Sequence, residues 1–253
     1  MPFTQRITLY TASYSPYGQR VRMALEEARA DYIVYEIKPH DQPDWFRTKV
    51  SPLGKIPVIT FGGPDVPPDQ PSAESVKLFE SLPLLEFCVD VFPEAKFLPA
   101  DPVLRAKARA FIAIYENYVN NPFIDVLLYR KPVDSLLQGL ERLQAALPPT
   151  GFAIGEWSMA EIGVVPFLAR MFFYLEHDIG NYDEEGEKKM RDAFASTRFA
   201  RLRKYVQEAS ERPSFKTSWI SDTGERAQYK PEDPGGPNAV AKTAQQTANG
   251  ERV

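Results

Sequence analysis

Two hydrophobic periods alternate along the first 92 residues. Unbroken or alternating runs of β-forming residues at Ile7–Thr11, Tyr32–Ile37, Val58–Phe61 and Ser75–Phe79 predict four strands. Between the first two, Val21, Ala24, Leu25 and Ala28 recur at helical spacing, so Pro16–Arg29 is predicted as a helix. Asp44–Val50 is long enough for a short helix, and Ser51-Pro52-Leu53-Gly54 after it reads as a turn. A loop crowded with Pro64, Pro67, Pro68 and Pro71 separates the last two strands. Leu82–Phe92 closes the set as a helix that buries Leu85, Cys88, Val89 and Phe92. The order is βαβαββα. Its first two strands are expected to be parallel through a right-handed crossover, and its last two antiparallel.

From about Asp101 the pattern is helical only. Val103–Tyr118, Val133–Leu147, Met159–His177 and Glu184–Glu211 carry the helical period, and no strand pattern interrupts them. Pro93, Pro99 and Pro102 mark the linker. The expected organisation is an α/β domain over 1–93, an all-α domain over 101–220, and a tail over 221–253. The tail's Pro, Gly, Gln, Asn and Thr bury too little surface to offset ordering, so it is expected to be flexible.

Charge and rare residues narrow the function. Lys plus Arg total 30 against 34 Asp plus Glu, which leaves no basic excess for nucleic acid or an anionic membrane. Cys88 is the single cysteine, which removes disulfides, CxxC redox pairs and cysteine zinc sites. With His40 and His177 the only histidines, no metal is expected. There is no GxSxG elbow for a serine hydrolase. Met1 to Tyr14 lacks the basic-then-apolar pattern of a signal peptide. The longest apolar segment, Ile162 to Leu175, is too short to span a bilayer and contains Arg170. A reducing, cytoplasmic setting is expected.

Three places join a turn to the start of a helix or strand. Ser15 precedes Pro16, which suits the first helical position, so Ser15 reads as a helix N-cap. A hydroxyl there can also face a thiolate, supported by the positive end of the helix. Gly54-Lys55-Ile56-Pro57-Val58 opens a strand with a proline; a cis Ile56–Pro57 bond would offer the main chain of Ile56 to a short peptide, whereas the commoner trans form gives an ordinary sheet edge. Glu80-Ser81 ends a strand at a helix start. Ser81 can cap that helix, its hydroxyl and the first-turn amides can take a carboxylate, and Glu80 can pair with an ammonium. Each admits a purely structural reading alone. In a βαβαββα sheet all three lie along one edge, with Lys55 as a cation for a terminal carboxylate, and together they make the parts of a glutathione site.

On these motifs the sequence resembles the glutathione transferase superfamily, in particular its omega class. The resemblance rests on Ser15-Pro16-Tyr17 with Gln19-Arg20, on Ser51-Pro52-Leu53-Gly54-Lys55-Ile56-Pro57-Val58, and on Glu80-Ser81 leading to Leu84-Leu85-Glu86-Phe87. Ser158-Met159-Ala160-Glu161 is similar to the family's S-x-x-D capping box, with Glu in place of Asp. The likeness runs from residue 5 to about 215. It implies a thioredoxin-like domain, a cis Pro57, a helical second domain, a homodimer, and glutathione bound by Lys55, Ile56, Pro57, Glu80 and Ser81.

One departure changes the expected chemistry. Omega proteins typically carry a cysteine where this chain has Ser15, and a hydroxyl cannot form a mixed disulfide. Thioltransferase and dehydroascorbate reductase activities are therefore not expected, and serine-type fungal omega-like transferases are the better match. Ser15 is expected to stabilise the glutathione thiolate for attack on hydrophobic electrophiles held in a cleft. Tyr17, Tyr129, Phe123 and Tyr174 are the cleft candidates, Phe123 and Tyr129 because Asn120-Asn121-Pro122 reads as a helix break. The alternatives are a non-catalytic ligandin for polyphenols or other planar aromatics, and glutathione-dependent ether cleavage. Cys88 reads as buried filler, His40 as a loop residue and Trp45 as a packing residue as much as a site residue.

Overall fold

The computed structural model describes residues 6–39, 41–180 and 182–219. His40 and the expected flexible tail lie outside the described residues. The described chain divides into two compact units, residues 6–97 with 213–219, and residues 98–212.

The first unit is built on strands β1 (Ile7–Thr11), β2 (Tyr32–Glu36), β3 (Val58–Phe61) and β4 (Val76–Phe79) in the sheet order β2-β1-β3-β4. β1 is parallel to β2 and antiparallel to β3, and β3 is antiparallel to β4. Helices α1 (Pro16–Glu27), α2 (Asp44–Lys49) and α3 (Ser81–Val91) complete the expected βαβαββα order. β1 is central, and all five of its residues are buried.

Side-chain alternation sends Tyr10 toward α2 and Thr11 toward α1. Tyr10, Ile37, Phe46, Val50 and Val58 form one buried cluster, against which Tyr35, Trp45 and Ile56 pack. Each large apolar side chain fully buried there stabilises the fold by roughly 1.5–3 kcal/mol. Trp45 lies edge-on to Tyr35 with ring centroids 5.5 Å apart, a packing role. On the other face α1 crosses β1 at Gly18, where an added Cβ would fall 1.8 Å from Thr11 Oγ1. Only glycine permits that approach with Thr11 as it stands.

The second unit holds α4 (Pro102–Tyr115), α5 (Asn121–Tyr129), α6 (Asp134–Ala145), α7 (Met159–Glu176), α8 (Glu184–Ala195) and α9 (Ala200–Ser210). Two expectations change here. The break read at Asn120-Asn121-Pro122 is instead a π-turn, Glu116–Asn120, that carries α4 on into α5. Pro122 lacks an N–H, and a widened turn just before it accommodates the missing bond. Gly139 of α6 lies against this turn, for an added Cβ there would sit 2.0 Å from the Tyr118 carbonyl oxygen. The expected helix Glu184–Glu211 is interrupted at Ser196, whose hydroxyl accepts from the Arg198 N–H at 3.1 Å and caps a short 3-10 turn, Thr197–Phe199.

The capping box at the start of α7 is present. Glu161 is fully buried and accepts from the N–H groups of Ala153 (2.8 Å) and Ser158 (2.9 Å), the Ser158 hydroxyl (3.0 Å) and the Tyr205 hydroxyl (3.1 Å). Four donors on one carboxylate join α7, the preceding loop and α9. Desolvation nevertheless pushes the Glu161 carboxyl above its usual range.

A last short helix, α10 (Pro213–Ser218), groups with the first unit. It packs on α1, burying Ser214, Phe215 and Ser218, and two polar pairs join the two helices. Ser214 Oγ donates to Glu27 Oε1 at 2.5 Å, and Gln19 Nε2 donates to Ser218 Oγ at 3.3 Å.

Candidate functional site

The sheet register gathers the predicted residues at one end of the first unit. Val58, the first residue of β3, pairs with Tyr10 near the end of β1 and with Phe79 at the end of β4. Pro57 directly precedes Val58 and Glu80 directly follows Phe79, so the cis-proline loop and the start of α3 leave the sheet from this one pair. The chain leaving β1 reaches Ser15 within four residues of Thr11.

Ser15 is the N-cap of α1, with φ −74° and ψ 121°, and is 9% exposed. Its Oγ accepts from the Gly18 N–H at 3.2 Å. Its own O–H has no acceptor among the described residues, so one donor remains at the positive end of a twelve-residue helix. The turn before it is held from β2, since Glu36 accepts from the N–H (2.8 Å) and hydroxyl (2.5 Å) of Ser13.

The Ile56–Pro57 bond is cis, the form the family resemblance implies and the local reading left open. The loop leading to it is fixed by its own polar groups. Ser51 Oγ donates to the Lys55 carbonyl at 2.8 Å, and Gln42 Nε2 donates to the Gly54 carbonyl at 2.6 Å. Gly54 takes φ +63°, a conformation that costs glycine little. Lys55 Nζ reaches to 3.6 Å from Glu80 Oε1, so the predicted cation and anion are neighbours.

Glu80 takes the cap position expected of Ser81, and α3 starts one residue earlier. Glu80 is the residue before α3, at φ +65° and ψ 120°, and Ser81 is the first residue inside the helix and not its cap. The Ser81 hydroxyl, 6% exposed, accepts instead from Arg20 Nη1 at 2.9 Å. Arg20 is 1% exposed. Its role had no signal in the sequence beyond its place in the Gln19-Arg20 pair. A positive φ at a glutamate is backbone strain, which persists where surrounding structure imposes it and which concentrates at ligand sites.

The remaining candidates are more dispersed. Tyr17 is half-buried on α1, with the Arg20 guanidinium 6.0 Å from its ring centre. Phe123, Tyr129 and Tyr174 belong to the second unit, where Phe123 and Tyr174 are buried and Tyr129 is 42% exposed. The helix break that singled out Phe123 and Tyr129 is absent, so that reason for choosing them falls away. Cys88 is fully buried in α3, and burial pushes its thiol up to about 12. A cavity of about 470 Å³ lined by Arg6, Tyr32, Gly63 and Phe92 lies at the opposite end of the sheet from Ser15 and holds none of the predicted residues. Among the described residues, no group of three or more His, Cys, Asp or Glu is placed to hold a metal ion, and no helix is long and apolar enough to cross a membrane.

Residues 9–94 match the family model "Glutathione S-transferase, N-terminal domain". The chain is similar to glutathione transferase Omega 2S from Trametes versicolor, solved in complex with 2,4-dihydroxybenzophenone. The identity is 56% over 89% of this chain and 96% of that one, with a TM-score of 0.85. It is also similar to Omega 1C from the same fungus, 42% identical over 89% of this chain and 97% of that one, with a TM-score of 0.84. Among curated proteins, rat glutathione S-transferase omega-2 is 28% identical over 109 residues, 43% of this chain. That match spans only 39% of the rat protein's length.

Proposed function

The chain belongs to the glutathione transferase family, alongside its omega-class members, and from that premise we propose that it is a serine-type transferase acting on glutathione. The carrying observation is the unspent O–H of Ser15, held at the N-terminus of α1 by the Gly18 N–H. In this reading that hydroxyl donates to the glutathione sulfur and favours thiolate over thiol. Each unit by which the thiol pKa falls is worth about 1.4 kcal/mol.

The other groups hold the tripeptide. Among the described residues neither the N–H nor the C=O of Ile56 has a hydrogen-bond partner, so both are open to pair with the cysteinyl main chain as an added strand. Lys55 takes a terminal carboxylate, and Glu80 with Ser81 takes the ammonium and α-carboxylate of the γ-glutamyl group. The thiolate then attacks an electrophilic carbon. With an aryl halide the C–S bond forms, the C–halogen bond breaks and halide leaves; the thiol proton has already gone to solvent. No step uses a metal. Disulfide reduction at this position is not part of the reading, because Ser15 has no sulfur to form the mixed disulfide.

A second reading is favoured by one finding. The similar Trametes Omega 2S protein was solved with 2,4-dihydroxybenzophenone, a hydroxylated aromatic ketone. Binding of such compounds by this chain, with Tyr17 beside Ser15 as a contact, fits a ligandin role with or without turnover. The family premise also supports a homodimer in the cytoplasm working on small hydrophobic or aromatic molecules. The decisive experiment is the spectrophotometric pKa of bound glutathione in the wild-type chain and in Ser15→Ala, together with turnover of an aryl halide. A thiol pKa unchanged by the substitution removes Ser15 from the mechanism.

A further inference from the structure

The two site hydroxyls share an arrangement. Ser15 Oγ accepts from a backbone N–H, and Ser81 Oγ accepts from the buried guanidinium of Arg20. In each case a donor inside the fold occupies the oxygen from below, and the hydroxyl hydrogen has no acceptor among the described residues. A hydroxyl facing an N–H donor must turn its own hydrogen away from it. Ser81 is therefore fixed as a donor before any ligand arrives, at the N-terminus of the eleven-residue helix α3.

We propose that Arg20 is a positioning residue for substrate selection: through Ser81 it commits the pocket to an α-carboxylate on the first residue of the bound peptide. Arg20 touches no ligand. At 1% exposure it holds its guanidinium on Ser81 in a medium that screens charge poorly, so the Ser81 O–H is polarised toward an incoming anion. A serine left to rotate freely accepts as readily as it donates and discriminates weakly between an anionic and a neutral head group. The strained backbone of Glu80, one residue earlier, fixes the same turn and limits how far the pocket can adapt. The consequence is selectivity for peptides that carry a free α-carboxylate at this end. The inference rests on the reading of Glu80 and Ser81 as the γ-glutamyl pocket.

The test is calorimetric titration with glutathione and with its analogue lacking that carboxylate, 4-aminobutanoyl-cysteinylglycine. A hydrogen bond to a charged group predicts that the wild-type chain binds glutathione roughly tenfold more tightly than the analogue. In Arg20→Met and in Ser81→Ala the ratio is expected to fall to about twofold or less, mainly through loss of affinity for glutathione. Affinity for the analogue should hardly change, which general structural damage would not produce. If Arg20→Met fails to fold by circular dichroism, Arg20→Gln, neutral but polar, is titrated in its place and read the same way. A folded Arg20 variant that keeps the wild-type ratio while Ser81→Ala loses it overturns the role of Arg20 and leaves the pocket standing. A wild-type chain that ignores the carboxylate, or a Ser81→Ala variant that keeps the full ratio, overturns the pocket itself and the inference with it.

Discussion

Lys55 Nζ lies 3.6 Å from Glu80 Oε1, and both side chains are mostly exposed, at 68% and 63%. A pair so hydrated contributes little to stability, in the range of about 0–1 kcal/mol. Its value is positional. It keeps a cation and an anion together on the rim where a zwitterionic peptide, itself bearing both charges, is read to bind.

Removing the cation should therefore separate binding from folding. Lys55→Ala is expected to weaken glutathione binding by about three- to tenfold, with the loss shrinking at high salt, since screening acts on exposed charges. The melting temperature should move by no more than about 2 °C, the shift of a few tenths of a kcal/mol. Titration at low and high ionic strength beside a thermal melt checks both halves. A large fall in melting temperature with affinity intact would contradict the assignment.

Ser15 combines a cap and a proposed thiolate donor, and two substitutions pull these apart. Ser15→Ala removes both and should cost about 1 kcal/mol of stability through the lost cap. Ser15→Gly costs only a few tenths of a kcal/mol as a cap replacement, yet it removes the hydroxyl equally. Conjugation should fall alike in both, and the bound thiol pKa should rise alike, although their stabilities differ. Ser15→Cys should instead gain disulfide reductase activity, measured with a mixed disulfide of glutathione.

Much of the first unit was legible because each element there has a local signature. The strands are runs of β-forming residues, β3 lies between Pro57 and Gly62, α1 opens on Ser15-Pro16, and the observed bounds fall within two residues of those expected. What stayed hidden is carried by contacts distant in sequence. Arg20 and Ser81 are 61 residues apart, and nothing in either neighbourhood announces a bond between them. α10 joins the first unit with Ser214, Phe215 and Ser218 buried, one apolar residue among polar ones and too short a stretch to show a helical period. Ser81 was expected to be a cap because serines favour that position; the positive φ of Glu80 moves the helix start by one residue. The π-turn escaped because a proline after two asparagines reads as a stop, and only the packing of Gly139 against Tyr118 shows why the helix continues.

Cys88 offers a pH test that needs no mutation. A folded-state thiol pushed up to about 12 by burial is almost wholly protonated at pH 8, and the thiolate is the reactive form. Native protein at pH 8 should thus give no colour with a chromogenic disulfide reagent, and protein in denaturant should give one thiol per chain. Because the folded pKa is raised above the unfolded value, this group's contribution to stability is intact below the unfolded value. It is lost as pH climbs from there through the folded pKa, so alkaline unfolding and thiol exposure should coincide. Rapid labelling of the native chain at pH 8 would show that the helix opens, and would reinstate Cys88 as a nucleophile.

The strain at Glu80 gives the sharpest trade-off. A non-glycine residue at φ +65° and ψ 120° carries a backbone cost of order 1–3 kcal/mol, which glycine largely escapes. Against this, glycine adds conformational freedom to the unfolded chain worth roughly 0.4–1 kcal/mol, and the exposed pair with Lys55 is lost at small cost. The balance favours the fold, so Glu80→Gly should hold or raise the melting temperature, by the equivalent of about 1 kcal/mol. The same change removes the carboxylate read to hold the glutathione ammonium, so affinity should fall by about tenfold or more, the worth of one charged hydrogen bond. Glu80→Gln separates the causes, for it keeps the strained backbone and loses only the charge. It should bind weakly without the gain in stability. If Glu80→Gly instead melts well below the wild type, the backbone at this turn is not strained in the way its φ indicates. The glutamate would then be retained for the fold and not for its ligand.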